Sequence, residues 1–110
     1  MELAFADKEI RALCLSGHLA EERLDHQSAS SLRHRLADLS AMDTASELFG
    51  MPGGAKKLGK DDDRCLINIR GGYELFFESG HSRTSRLVNG TIDWSKVRRI
   101  KILGVEKCND

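Results

Sequence analysis

Apolar residues recur along this chain with two different periods, helical in the first half and alternating in the second. Glu2-Leu3-Ala4-Phe5-Ala6 alternates and predicts a short first strand. Asp7 then offers an N-cap for a helix with Ile10, Leu13 and Cys14 on one face, and Gly17 is its expected stop. His18 to Leu24 reads as a second helical piece. Asp25 caps the clearest helix of all. There Ala29, Leu32, Leu36 and Leu39 recur at helical spacing, while Arg33, His34, Arg35 and Asp38 fall off the stripe. Thr44 to Phe49 reads as one more helical turn, after which Gly50, Pro52, Gly53 and Gly54 break the chain.

The second half reads as strands. Ala55 to Leu58 is a candidate strand, and Gly59-Lys60-Asp61-Asp62-Asp63 a turn. Arg64 to Glu78 forms two β-rich runs joined by Gly71-Gly72, whose glycines supply the positive φ of a two-residue hairpin loop. Ser79 to Gly90 is a polar loop carrying His81, Arg83 and Arg86. Val97 to Val105 is a last strand with several positive charges. The expected architecture is α+β: an N-terminal strand and helices packed on one side of a small twisted antiparallel sheet, in a single domain over 1–110. Its expected core includes Phe5, Leu32, Leu36, Leu39, Ile67, Leu75, Phe77, Ile100 and Ile102, with Trp94 anchoring the last strand. A two-residue loop sets Glu74 opposite Ile69 and Phe76 opposite Ile67. That register puts Glu74 on an apolar face, where it needs a cation such as Arg99, Lys101 or Lys60.

Composition narrows the chemistry. With 110 residues, 40% hydrophobic content and a formal net charge of +0, the chain suits a folded domain and is not a polyelectrolyte. Nucleic-acid contact would need a local patch. The densest is Lys96, Arg98, Arg99 and Lys101. Alternation sends Arg98 and Arg99 to opposite faces, and an edge strand also favours such charges because they deter edge pairing. Lys56, Lys57, Lys60 and Arg64 surround a turn whose aspartates neutralise them. Those aspartates lack the spaced ligands of a calcium loop, and no metal or cofactor is expected. Cys14, Cys65 and Cys108 show no CxxC spacing and read as packing thiols. His18, His26 and His34 sit in the helical half and read as surface or cap residues. No apolar run is long enough for a membrane span and the N-terminus lacks a signal-peptide pattern, so the expected location is cytoplasmic, without a membrane partner.

The order strand, helices, then antiparallel strands resembles the RelE/ParE toxin superfamily, and within it the HigB-like, plasmid-maintenance killer branch. Leu32 to Met42 matches that branch's leucine-rich helix and Pro52-Gly53 its break. Leu58-Gly59-Lys60-Asp61 matches its turn, and Tyr73-Glu74-Leu75-Phe76-Phe77 its aromatic strand. Asp93-Trp94-Ser95-Lys96-Val97, with Ile100, Ile102 and Leu103, matches its end. The resemblance covers nearly the whole chain. It implies the toxin of a type II toxin–antitoxin system, a metal-independent endoribonuclease that cuts messenger RNA on the ribosome and inhibits translation. It also implies a cognate antitoxin, typically a helix-turn-helix DNA-binding protein.

Such chemistry needs a base for the 2′-hydroxyl, cations for the phosphorane charge and an acid for the leaving oxygen. On this resemblance the catalytic candidates are Lys57, Lys60 and Arg64, and the RNA-binding candidates Arg98, Arg99 and Lys101. Two departures stand out. Glu74 occupies the position of the family's arginine, and Glu106-Lys107-Cys108-Asn109-Asp110 replaces its acidic-Asp-Tyr-His end. Glu74 is therefore read as modifying the site by occupying a cation meant for phosphate, and Glu74→Arg as partly restoring RNA binding. Two alternatives stand beside the ribonuclease: a toxin-fold protein that has lost catalysis but binds an antitoxin-like partner, and, by analogy with the ParE branch, an inhibitor of DNA gyrase.

Overall fold

The computed structural model describes residues 1–50, 52–59 and 63–108. Strand β1 (Glu2–Phe5) leads into α1 (Lys8–Leu15), α2 (Gly17–Arg23) and α3 (His26–Ala41). A 3₁₀ turn at Ala45–Leu48 follows, then β2 (Lys56–Lys57), β3 (Cys65–Ile69), β4 (Tyr73–Ser79), a second 3₁₀ turn at Trp94–Lys96 and β5 (Arg99–Lys107).

Local chemistry explains the helix starts. The Asp7 carboxylate accepts from the Ile10 N–H at 2.9 Å, and that of Asp25 from the Ser28 N–H at 2.7 Å. This bond from the Ser28 backbone is the main reason the Asp25 carboxyl lies below its ordinary value. Gly17 does not stop the first helix. That helix ends at Leu15, and Ser16 breaks the chain in extended backbone while its hydroxyl accepts from the Leu19 N–H at 3.3 Å. A serine there serves as exit from α1 and cap of α2, so Gly17 becomes the first residue of the next helix.

The sheet runs in the order β1-β5-β4-β3-β2. It is mixed rather than antiparallel, because β1 pairs with β5 in parallel, Leu3 beside Ile100 and Phe5 beside Ile102. The helices and the hairpin lie between these two strands in sequence and form the long crossover that a parallel pair requires. β2 is two residues long, Lys56 and Lys57, opposite Leu66 and Cys65.

The α3 stripe packs as expected: Ala29, Leu32, Leu36 and Leu39 are buried, with Leu32 fully inaccessible. Their counterpart is the sheet face bearing Cys65, Ile67, Ile69, Leu75, Phe77, Ile100 and Ile102, all buried; Phe5 is half-buried against the same core. Burying such side chains contributes roughly 1.5–3 kcal/mol each relative to exposure. Trp94 is buried beneath the second 3₁₀ turn, its ring centroid 5.0 Å from that of Phe49 and 6.3 Å from that of Phe77. Cys14 and Cys65 are buried as packing thiols, and burial pushes the Cys14 thiol up to about 11. Among the described residues no helix is long and apolar enough to cross a membrane.

The hairpin departs from the sequence expectation by one residue. Ile69 pairs with Tyr73, Asn68 with Glu74 and Ile67 with Leu75, so the loop is Arg70-Gly71-Gly72 rather than Gly71-Gly72 alone. The cause is tertiary. The loop rests on the first turns of α3, where the Arg70 N–H donates to Ser31 Oγ at 3.1 Å and Gly71, at φ 96°, lies against Ser28. A one-residue change of register turns every side chain to the other face.

Candidate functional site

One face of the sheet is turned away from the helices. Alternation and register place Glu74 there, directly between Asn68 on β3 and Glu106 on β5. Ile67 and Ile69 point the other way into the core, so Glu74 does not share their face as expected. Nor does it make an ion pair among the described residues. Arg99 Nη1 is instead 3.1 Å from Glu2 Oε2, and Lys101 Nζ is 3.4 Å from Glu78 Oε1. Lys60, the third partner considered for Glu74 and a catalytic candidate, lies outside the described residues, as does Asn109 of the tail.

The sign of this face follows from its occupants. Among the described strand residues, Glu2, Glu74, Glu78 and Glu106 stand against Lys56, Arg99 and Lys101, with Leu66 and Phe76 half-buried among them. Exposed ion pairs are worth only about 0–1 kcal/mol, so the two observed pairs would not by themselves keep a phosphate away. The excess of carboxylates matters more. It makes the local field unfavourable for a polyanion.

The predicted cations do not converge. Arg99 and Lys101 lie on β5, whereas Lys57 lies on β2, three strand spacings away. At about 4.8 Å per spacing the separation is about 14 Å, too far for both groups to grip one phosphate. Arg64 is exposed just before β3, its carbonyl accepting from the Leu58 N–H at 3.1 Å. Arg98 precedes β5 with an exposed side chain, and its backbone N–H donates to His81 Nε2 at 3.0 Å. His81 is therefore an acceptor that ties its loop to the start of β5, with its ring proton on Nδ1.

Lys57 belongs to a different feature. It lines a cleft of about 280 Å³ with Asp63, Arg86, Asn89, Ile92 and Trp94. One wall is a small hairpin within the loop expected to be merely polar. Arg86 and Ile92 form an antiparallel bridge, and the Leu87 N–H donates to the Thr91 carbonyl at 2.8 Å. Gly90 supplies the positive φ of 88° at its turn. Arg86 is held from two sides. Its guanidinium meets both Asp63 carboxylate oxygens, at 2.8 and 3.3 Å, and donates to the Gly90 carbonyl at 2.9 Å. The hydrogen bond to Asp63 raises the Arg86 pKa further above its ordinary value. Sequence reasoning placed Arg86 in a loop and Trp94 in the core without joining them. The Asn89-Gly90 dipeptide, a strong hairpin signal, was the available clue.

A second, larger groove of about 820 Å³ runs between α3 and the end of β3. It is lined by His26, His34, Arg35 and Asp38 on the helix and by Asn68 and Arg70 on the strand side. His26 Nδ1 is 3.0 Å from Glu21 Oε1, in keeping with a surface role. Compared with family models, curated proteins and solved structures, the chain matches none.

Proposed function

We propose that this chain is the toxin-like member of a toxin–antitoxin pair, of the HigB-like kind within the RelE/ParE superfamily, and that it holds a protein partner without cutting messenger RNA. The order of its elements and the motifs from Leu32 to Leu103 support the toxin-like half of this reading. One observation carries the non-catalytic half: Glu74 stands between Asn68 and Glu106 on a face whose described strand residues hold more carboxylates than cations. Transesterification of RNA needs cations where charge develops on phosphorus, and loss of a single such donor costs on the order of 100- to 1,000-fold in a known protease. A carboxylate in that place repels the charge it should stabilise.

The test is inducible expression in a bacterial host, with mapping of messenger RNA ends on ribosomes. Expected are weak or no growth inhibition, no ribosome-associated cleavage, and a stable complex with a helix-turn-helix protein encoded beside this chain. Strong growth arrest with cleavage on the ribosome would overturn the non-catalytic reading. It would favour a ribonuclease built around Lys57, which has no ion pair among the described residues and lies at the mouth of a cleft.

A further inference from the structure

Hydrogen-bond capacity in the cleft between β2 and the 86–92 hairpin is unbalanced. Asn89 Oδ1 accepts from both the Thr91 N–H, at 3.1 Å, and the Thr91 hydroxyl, at 2.7 Å. That fixes the amide plane and leaves the Asn89 NH₂ as a donor with no acceptor among the described residues. The Lys57 ammonium has no ion pair there either. Trp94 also lines the cleft, and its buried Nε1–H has no hydrogen-bond partner among the described residues. A buried donor without an acceptor costs about 1–3 kcal/mol in a folded protein, so an unpaired indole N–H beside a cleft calls for explanation. The acceptors on the same walls are already engaged: Asp63 grips Arg86, and the Gly90 carbonyl accepts from it. Among the described residues the cleft thus offers donors and positive charge, and little that accepts.

We infer that this cleft binds a single phosphoryl group, free or as the terminal ester of a nucleotide, through Lys57, Asn89 and Trp94, with Arg86 held alongside by Asp63. A phosphate monoester dianion only accepts, and inorganic phosphate near neutral pH is anionic and acceptor-rich; both are tetrahedral, which suits donors arriving from three elements. The volume of about 280 Å³ falls just short of the roughly 300 to 1,000 Å³ of drug-sized ligand sites, in keeping with a ligand as small as one phosphoryl group. The binding is independent of the toxin-like reading, because the cleft lies at the far edge of the sheet from Arg99 and Lys101. A negative result here leaves that reading untouched.

Trp94 is the only tryptophan in the chain and therefore reports on the site alone. Inorganic phosphate and adenosine monophosphate are each titrated against its emission and against the single indole N–H resonance, with sodium chloride at matched ionic strength as control. Expected is a saturable response, half-maximal at about 1–10 mM, with the indole proton moving downfield as it gains an acceptor. Tighter binding of one ligand identifies the source as free phosphate or as an ester. Lys57→Met should weaken binding about tenfold. Asn89→Asp, which keeps the oxygen that Thr91 needs but adds a negative charge, should abolish it. Both positions are exposed, and circular dichroism verifies that each variant is folded. A response matched by chloride, one unchanged in both folded variants, or an indole proton unmoved at saturation would overturn the inference.

Discussion

Replacing Gly71 with alanine should damage this fold more than the same change one residue later. Gly71 has φ 96° and Gly72 φ 85°, so both substitutions force a Cβ into left-handed backbone. That costs about 1–2 kcal/mol, offset by about 0.4–1 kcal/mol from the stiffer unfolded chain. The surroundings differ. A Cβ on Gly72 meets nothing within 4 Å, whereas one on Gly71 would sit 1.8 Å from Ser28 Oγ, 3.2 Å from Ser28 Cβ and 3.3 Å from Asp25 Oδ2. Ser28 is fully buried and cannot swing into solvent. The loop must lift from α3, straining the Arg70 bond to Ser31. Overpacking of this kind costs about 1–3 kcal/mol.

The expected losses are therefore roughly 0.5–1.5 kcal/mol for Gly72→Ala and roughly 2–4 kcal/mol for Gly71→Ala. Urea unfolding followed by Trp94 emission measures both. At a slope of about 1–3 kcal/mol per molar for a small protein, Gly71→Ala should lower the midpoint by about 1–2 M. Ser28→Ala separates the clash from the φ cost. The Ser28 hydroxyl sits beside the Asp25 carboxylate without a well-formed hydrogen bond, so its removal alone should cost under about 1 kcal/mol. In the Gly71→Ala background it removes the atom at 1.8 Å and should recover about 1 kcal/mol or more as a coupling energy. Equal losses for the two glycines, or no recovery with Ser28→Ala, would refute the docking of this loop on α3.

Two further outcomes test the core. Leu32→Ala, at a fully inaccessible site, should cost about 2–5 kcal/mol in the same urea assay, whereas Leu15→Ala, at 65% exposure, should stay within about 0.5 kcal/mol of wild type. The Cys14 thiol is raised by burial from 9.0 to about 11, so between these values the unfolded chain releases a proton that the native state keeps. Stability should then fall as pH rises from about 9 to 11, by about 2–3 kcal/mol in all, and Cys14→Ala should remove that part of the slope.

What was legible in the sequence was local. Asp7 and Asp25 cap helices through bonds three residues long, and the Leu32, Leu36 and Leu39 stripe needs only the helical period to declare its buried side. The parallel pairing of β1 with β5 joins opposite ends of the chain, and alternation within each strand is silent about its neighbour's direction. The hairpin loop was misjudged because Gly71-Gly72 satisfies a two-residue turn in isolation. Contact with Ser28 and Ser31 selects the longer loop. For the Lys57 cleft the Asn89-Gly90 signal was present, but nothing local says that this small hairpin returns to Asp63 and Lys57.

The register of that hairpin also changes what Glu74 means. In the two-residue register it faced Ile67 and Ile69 and needed a cation, so Glu74→Arg would have freed a base for phosphate. In the observed register it faces Asn68 and Glu106, makes no ion pair among the described residues, and has no cation to release. Its effect is on the field. Replacing it with arginine leaves Glu2, Glu78 and Glu106 against four cations, two of which already pair with Glu2 and Glu78. Lys57, opposite the buried Cys65, belongs to the other face of the sheet and adds little. The new arginine would meet Glu106 directly across the strands. An opposite-charge pair there contributes roughly 0.2–1 kcal/mol, where the wild-type glutamates repel. Glu74→Arg should therefore raise the urea midpoint slightly and leave RNA binding at about 150 mM salt unchanged. A clear gain in RNA affinity at that salt, without a gain in stability, would mean that the cations of this face act together despite their carboxylates, and that Glu74 alone keeps RNA off it.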